Sequence, residues 1–106
     1  MTLPNPPQVL VLNGEIDLHV SPEISASLAK LAAEKPSRLI VNLRDVSYID
    51  SSGLAALITA ANNVETYGGK LMLTGVREGV RTILENARLD QFFLLYPHVD
   101  AALAAT

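Results

Sequence analysis

Leu39-Ile40-Val41-Asn42-Leu43 is followed, after Arg44, by Asp45-Val46-Ser47-Tyr48-Ile49-Asp50-Ser51-Ser52-Gly53-Leu54. The first five residues form a buried-strand pattern, apolar and rich in β-branched side chains. Small residues then run from Leu54 to Val64 with apolar side chains at helical spacing. The segment between is therefore a strand-to-helix turn, and Asp50 or Ser51 is the residue type that caps a helix. The first N–H groups of a helix have no intrahelical partner. A turn of this kind can display a hydroxyl and tolerate a phosphate upon it.

Working outward, Gln8 to Asn13 reads as a second buried strand, broken by Gly14-Glu15-Ile16-Asp17. Ser21-Pro22-Glu23 then starts a helix, with Ser21 as cap, Pro22 at the first helical position and Glu23 near the positive end of the dipole. Ile24, Leu28 and Leu31 give that helix its apolar face, and Pro36 ends it. In the helix after the turn, Leu54, Leu57, Ile58, Ala61 and Val64 form the expected buried face, and Gly68-Gly69 stops it. Lys70 to Thr74 is a strand, Arg77 to Asn86 a helix with Val80, Ile83 and Leu84 inward, Phe92 to Tyr96 a strand, and Asp100 to Ala105 a short helix. Strands alternating with helices favour βαβ units and a mostly parallel sheet. Residues 1–106 are expected to form one domain, with Met1 to Pro7 irregular because of Pro4, Pro6 and Pro7.

Composition narrows the function classes. The chain has 106 residues, 49% hydrophobic and 18% charged, enough for a core and unlike a disordered segment. Eight basic and eleven acidic residues leave a net charge of −3, against a nucleic-acid partner. Arg44, Arg77, Arg81 and Arg88 are spread out and read as solvated helix faces. There is no cysteine, which excludes disulfides and thiolate chemistry. No apolar run approaches the roughly 18 residues of a membrane span, and the N-terminus shows no secretion signal. A cytoplasmic protein is expected.

Three chemistries fail on the residues themselves. Ile49, not glycine, precedes Asp50-Ser51, so the G-x-S-x-G elbow is absent, and His19 and His98 have no triad spacing to Ser51. Gly68-Gly69 follows a helix pattern and no P-loop occurs, so phosphate cradling by a glycine loop is not expected. Asp45 and Asp50 with Asp17 or Glu15 are the only conceivable oxygen ligands, and solvation or capping explains them better than a metal. No cofactor is expected, and no enzymatic activity. Asp50-Ser51-Ser52-Gly53 remains readable either as a plain helix start or as a phospho-acceptor and partner-contact turn.

The chain resembles STAS domain proteins, in particular bacterial anti-sigma factor antagonists. Gly14-Glu15-Ile16-Asp17 and Asp45 to Leu54 carry the likeness, and Gly68-Gly69-Lys70-Leu71 and Val80-Arg81-Thr82-Ile83-Leu84 fit it. The resemblance implies an α/β fold with a mostly parallel sheet of four to five strands and three to four helices. It also implies partner switching: binding to an anti-sigma factor that is a serine-protein kinase, release on phosphorylation, and restoration by a PP2C-type phosphatase. The serine after the motif's aspartate is the acceptor in that family, which places it on Ser51, with Ser52 the less favoured hydroxyl. Asp17, Asp50, Ser52, Gly53 and Leu54 would line the partner surface. An alternative within the same resemblance is a constitutive adaptor subunit of a transporter or signalling complex, not phosphorylated. The family's additional N-terminal strand is matched here only by Met1 to Pro7, so a sheet edge is expected to be exposed, where a second copy could pair into a homodimer.

Overall fold

The computed structural model describes residues 5–105. Four strands, β1 (Gln8–Ile16), β2 (Arg38–Ile49), β3 (Lys70–Thr74) and β4 (Leu94–Tyr96), alternate with α1 (Ser21–Ala33), α2 (Ser51–Glu65), α3 (Glu78–Asn86) and α4 (Val99–Ala104). The strands form one sheet in the order β1-β2-β3-β4, every pairing parallel. This is the expected α/β class.

Alternation along β2 explains the layering. Leu39, Val41 and Leu43 face the main core, where Leu28 of α1, Leu57 and Val64 of α2, and Val80 and Leu84 of α3 meet them. Ile40 faces the other way, joining Met72 and Ala102 of α4 in a smaller cluster. Both faces of the sheet's centre are thus covered, which is why its strands read as continuous apolar runs. β1 is an edge strand, and Val9 and Val11 are exposed on it.

Several boundaries differ from the sequence expectation. β2 does not stop at Leu43 but continues to Ile49. Past Asn42 it leaves β3 and pairs with β1 alone, so only one face is buried: Val46 and Ile49 point inward, while Ser47 and Tyr48 are exposed. β1 likewise runs through Gly14 to Ile16, with register shifts between Val11 and Asn13 and between Gly14 and Glu15. Gly14 has a φ of 74°, a conformation that glycine adopts without steric cost, so the glycine bends the strand instead of ending it.

Ser21 is not the cap of α1. Val20 occupies that place, Ser21 is the first helical residue and buried, and Pro22 moves to the second position. The Asp17 carbonyl accepts from Val20 N (3.2 Å) and Ser21 N (2.8 Å), and the Asp17 carboxylate accepts from His19 N (2.9 Å). The helix is thus entered through a backbone turn from Asp17, and no side chain caps it. Arg77 is the N-cap of α3 and not its first residue, and α4 begins at Val99. β4 begins only at Leu94, because Phe92 N and Phe93 N donate to the Leu89 carbonyl and hold both residues in a turn. The expectation for Met1 to Pro7 lies outside the described residues at positions 1–4. Asn5 forms a parallel bridge to Pro36, and its side-chain amide donates to the carbonyls of Glu34 and Lys35.

Candidate functional site

β1 and β2 end side by side, with Ile16 in register with Ile49. Asp50 N donates to the Ile16 carbonyl (3.0 Å), tying the start of α2 to the end of β1. Asp17 and Asp50, each the first residue beyond its strand, are thereby brought to the same end of the sheet. Asp50 is the N-cap of α2, settling the choice between Asp50 and Ser51. Its Oδ1 accepts from Ser52 N (2.9 Å), Gly53 N (3.2 Å) and the Ser52 hydroxyl (2.5 Å).

The two serines therefore stand in different states. Ser52 is half-buried and its hydroxyl is committed to Asp50. Ser51 is exposed, and its hydroxyl has no hydrogen-bond partner among the described residues. The Ser52 hydroxyl holds the Asp50 carboxyl below the usual carboxylate range, opposed by desolvation and aided by the N–H groups of Gly53, Ser52 and Leu18. Asp50 is thus a carboxylate at neutral pH and an acceptor, with little capacity as a general base.

Gly53 and Leu54 face inward. A Cβ at Gly53 would stand 2.6 Å from Ile49 Cγ1 and 2.7 Å from Ile16 Cγ2, so only a glycine lets α2 approach the two strand ends this closely. Leu54 is 9% exposed and belongs to the core. These two residues shape the surface from beneath. The exposed apolar group at the turn is instead Leu18, 74% exposed in the β1–α1 loop, whose N–H faces Asp50. Sequence reasoning did not single out Leu18, because a lone leucine between two loop residues carries no periodic signal. Tyr48, half-exposed two residues before Asp50, was missed for the same reason.

Beside the turn, a shallow groove of about 190 Å³ runs between α1 and α2, lined by Ser25, Ala29, Ser52, Ala55 and Thr59. The small α2 residues seen in the sequence thus let two helices pack closely. No group of three or more His, Asp or Glu side chains is placed to hold a metal among the described residues, Glu15 and Asp45 included. His98 caps α4, its Nδ1 accepting from Ala101 N (3.1 Å).

A parallel sheet with three helices on one face, one on the other, and an acidic serine-bearing helix start at the carboxyl ends of its first two strands defines an α/β domain of the STAS class. The STAS domain family profile matches residues 2–102, and the chain belongs to that family. An anti-sigma-B factor antagonist of Bacillus subtilis is 38% identical over 65 residues, covering 61% of this chain and 59% of that protein, so the match spans less than two thirds of the relative's length. Among solved structures, an anti-sigma factor antagonist from Mycobacterium paratuberculosis superimposes with a TM-score of 0.83 at 27% identity, covering 92% of this chain and 82% of that one. A sulfate transporter family protein from Wolinella succinogenes gives 0.82 at 25% identity, covering 98% and 87%.

Proposed function

We propose that residues 1–106 act as one STAS domain and as an anti-sigma factor antagonist that works by partner switching in the cytoplasm. In this reading the unphosphorylated protein binds an anti-sigma factor that is also a serine kinase. The kinase phosphorylates Ser51 and the complex separates, and a PP2C-type phosphatase resets it. The protein itself performs no catalysis. The observation that carries the reading is the contrast between the free, exposed Ser51 hydroxyl and the Ser52 hydroxyl held by Asp50. The antagonist relatives support it.

The local geometry gives the switch a physical basis. A phosphoserine carries about −1.5 to −2 charges at neutral pH. Asp50 already engages the N–H groups of Ser52 and Gly53. A phosphate on Ser51 would not be absorbed by those donors. It would lie outward beside the Asp50 carboxylate and meet any partner surface as added bulk and charge. The helix start tolerates negative charge, so the fold would survive while the interface would not. Leu18, Asp17 and Asp50 would ring the contact, with Gly53 and Leu54 supporting it from the core.

The sulfate transporter family neighbour favours a second reading, a constitutive adaptor that holds a larger complex together without modification. Incubation with a cognate kinase and ATP, followed by intact-mass measurement, separates the two. Gain of one phosphate, abolished in Ser51→Ala, supports the switch. No gain, together with Ser51→Asp binding its partner as well as the parent, supports the adaptor.

A further inference from the structure

The two edges of the sheet are built differently. β4 is three residues long, follows a turn at Phe92 and Phe93, and ends at Pro97. Short strands and prolines are devices that block further pairing at an edge. β1, at the opposite edge, is nine residues long, and residues 8–14 carry neither a charge nor a proline. Its inner side pairs with β2, and among the described residues no strand lies on its outer side. The ladder with β2 is regular from Gln8 to Val11. This stretch is therefore a straight edge whose outward N–H and C=O groups have no partner in the sheet.

The side chains favour the same conclusion. Val9 lies in register with Ile40, on the sheet face that α4 covers. α4 packs on β2, β3 and β4, and Arg38 donates to the carbonyls of Ala102 and Leu103 in its last turn. Ile40 is fully buried beneath it, whereas Val9 and Val11 stay 41% and 56% exposed.

An occupant of this edge must supply a strand, apolar side chains opposite the valines, and no charge. A second copy of β1 supplies all three. Laid antiparallel about Leu10, it sets Leu10 opposite its own equivalent, Val9 opposite Val11 and Val11 opposite Val9. Residues directly opposite in an antiparallel pair share a face. Four valines then gather beside the two α4 helices, where β-branched side chains pack well across strands. This register also keeps charges apart. Each copy has a net charge of −3, but the seam itself is neutral. The two Glu15 carboxylates, the only charges on β1, fall at opposite ends about 30 Å apart, beyond a Debye length.

We infer that two copies of this chain pair through residues 8–12 of β1, antiparallel about Leu10, joining two four-stranded sheets into one. Such an interface is isologous and closes on itself. About five residues a side, against the roughly 20–30 of a standard interface, make the dimer weak and dependent on concentration. Leu10 precedes Asp17 by about 20 Å of strand, so dimerisation leaves the Ser51 turn open and is independent of the role given to it.

Sedimentation equilibrium of the full chain over a wide concentration series tests the inference. The weight-average mass should rise from 11.4 kDa toward twice that value, more readily with added salt, which screens the net charge. Val11→Lys should hold the protein at the monomer mass, and Leu94→Lys on β4 should not. Both side chains are exposed, so the variants should fold, as unchanged circular dichroism would verify. The chain has no cysteine, so disulfide formation reads the register. A mixture of Val9→Cys and Val11→Cys proteins should cross-link to the mixed species in preference to either homodimer. Opposite residues stand within disulfide reach and equal ones do not. A constant monomer mass, growth past the dimer, a dimer untouched by Val11→Lys, or cross-linking without preference for the mixed species would overturn the inference.

Discussion

Asp50 governs the residue scale. Its carboxylate fixes Ser52 and leaves Ser51 free, so two adjacent hydroxyls of equal chemistry are not equally available. Ser52→Ala should leave phosphorylation intact and Ser51→Ala should abolish it, read by peptide mass mapping after kinase treatment. The depressed Asp50 pKa also has a sign. Its contribution to stability is fully present above the unfolded value of about 3.8 and is lost as pH falls through the lower folded value, where the unfolded chain binds more protons. Asp50→Asn should therefore flatten the acid limb of a stability–pH profile measured by urea unfolding. Gly53→Ala drives a methyl into Ile16 and Ile49, both fully buried, and should destabilise by about 1–3 kcal/mol in the same assay.

At the scale of elements, the order of strands and helices was legible because apolar runs and helical spacing alternate without interruption from Gln8 to Tyr96. What was not legible was where an element stops when only one of its faces is buried. Arg44-Asp45 and Ser47-Tyr48 look like loop residues, yet they occupy the solvent side of β2 while Val46 and Ile49 hold its core side. Gly14 looks like a strand terminator and is instead a bend within β1. Ser21 shows how a local rule is overridden: the Ser-Pro-Glu pattern is right for a cap, but the turn from Asp17 starts the helix at Val20 and places Ser21 inside it. Loss of a true cap costs about 1 kcal/mol. Ser21→Ala should cost less than that, since the Ser21 hydroxyl caps nothing, measured by denaturant unfolding. Leu57→Ala, at the centre of α2 against the sheet, should cost about 2–5 kcal/mol by the same measurement.

For the whole molecule, the sequence placed the serine turn correctly at the junction of β2 and α2 but could not show what surrounds it. Asp17 reaches Asp50 only through the parallel pairing of β1 with β2, and Leu18 arrives with it. Arg44 meets Arg77 and Arg81 only because the middle of β2 lies beside the start of α3. No helix among the described residues is long and apolar enough to cross a membrane. A phosphate on Ser51 would act on the surface of this frame, since Ile16, Ile49 and Leu54 beneath the turn are buried in the core. The phosphorylated protein should keep its thermal midpoint within a few degrees, as a surface change of about 0.5 kcal/mol implies for a domain of this size, measured by circular dichroism.

Partner affinity measured before and after stoichiometric phosphorylation, with the modified residue mapped by mass spectrometry, decides whether Ser51 is a switch. A switch requires a single phosphate on Ser51, an intact fold and a loss of binding that Ser51→Ala escapes. A phosphate on another residue, or unchanged affinity with Ser51 fully modified, would contradict it.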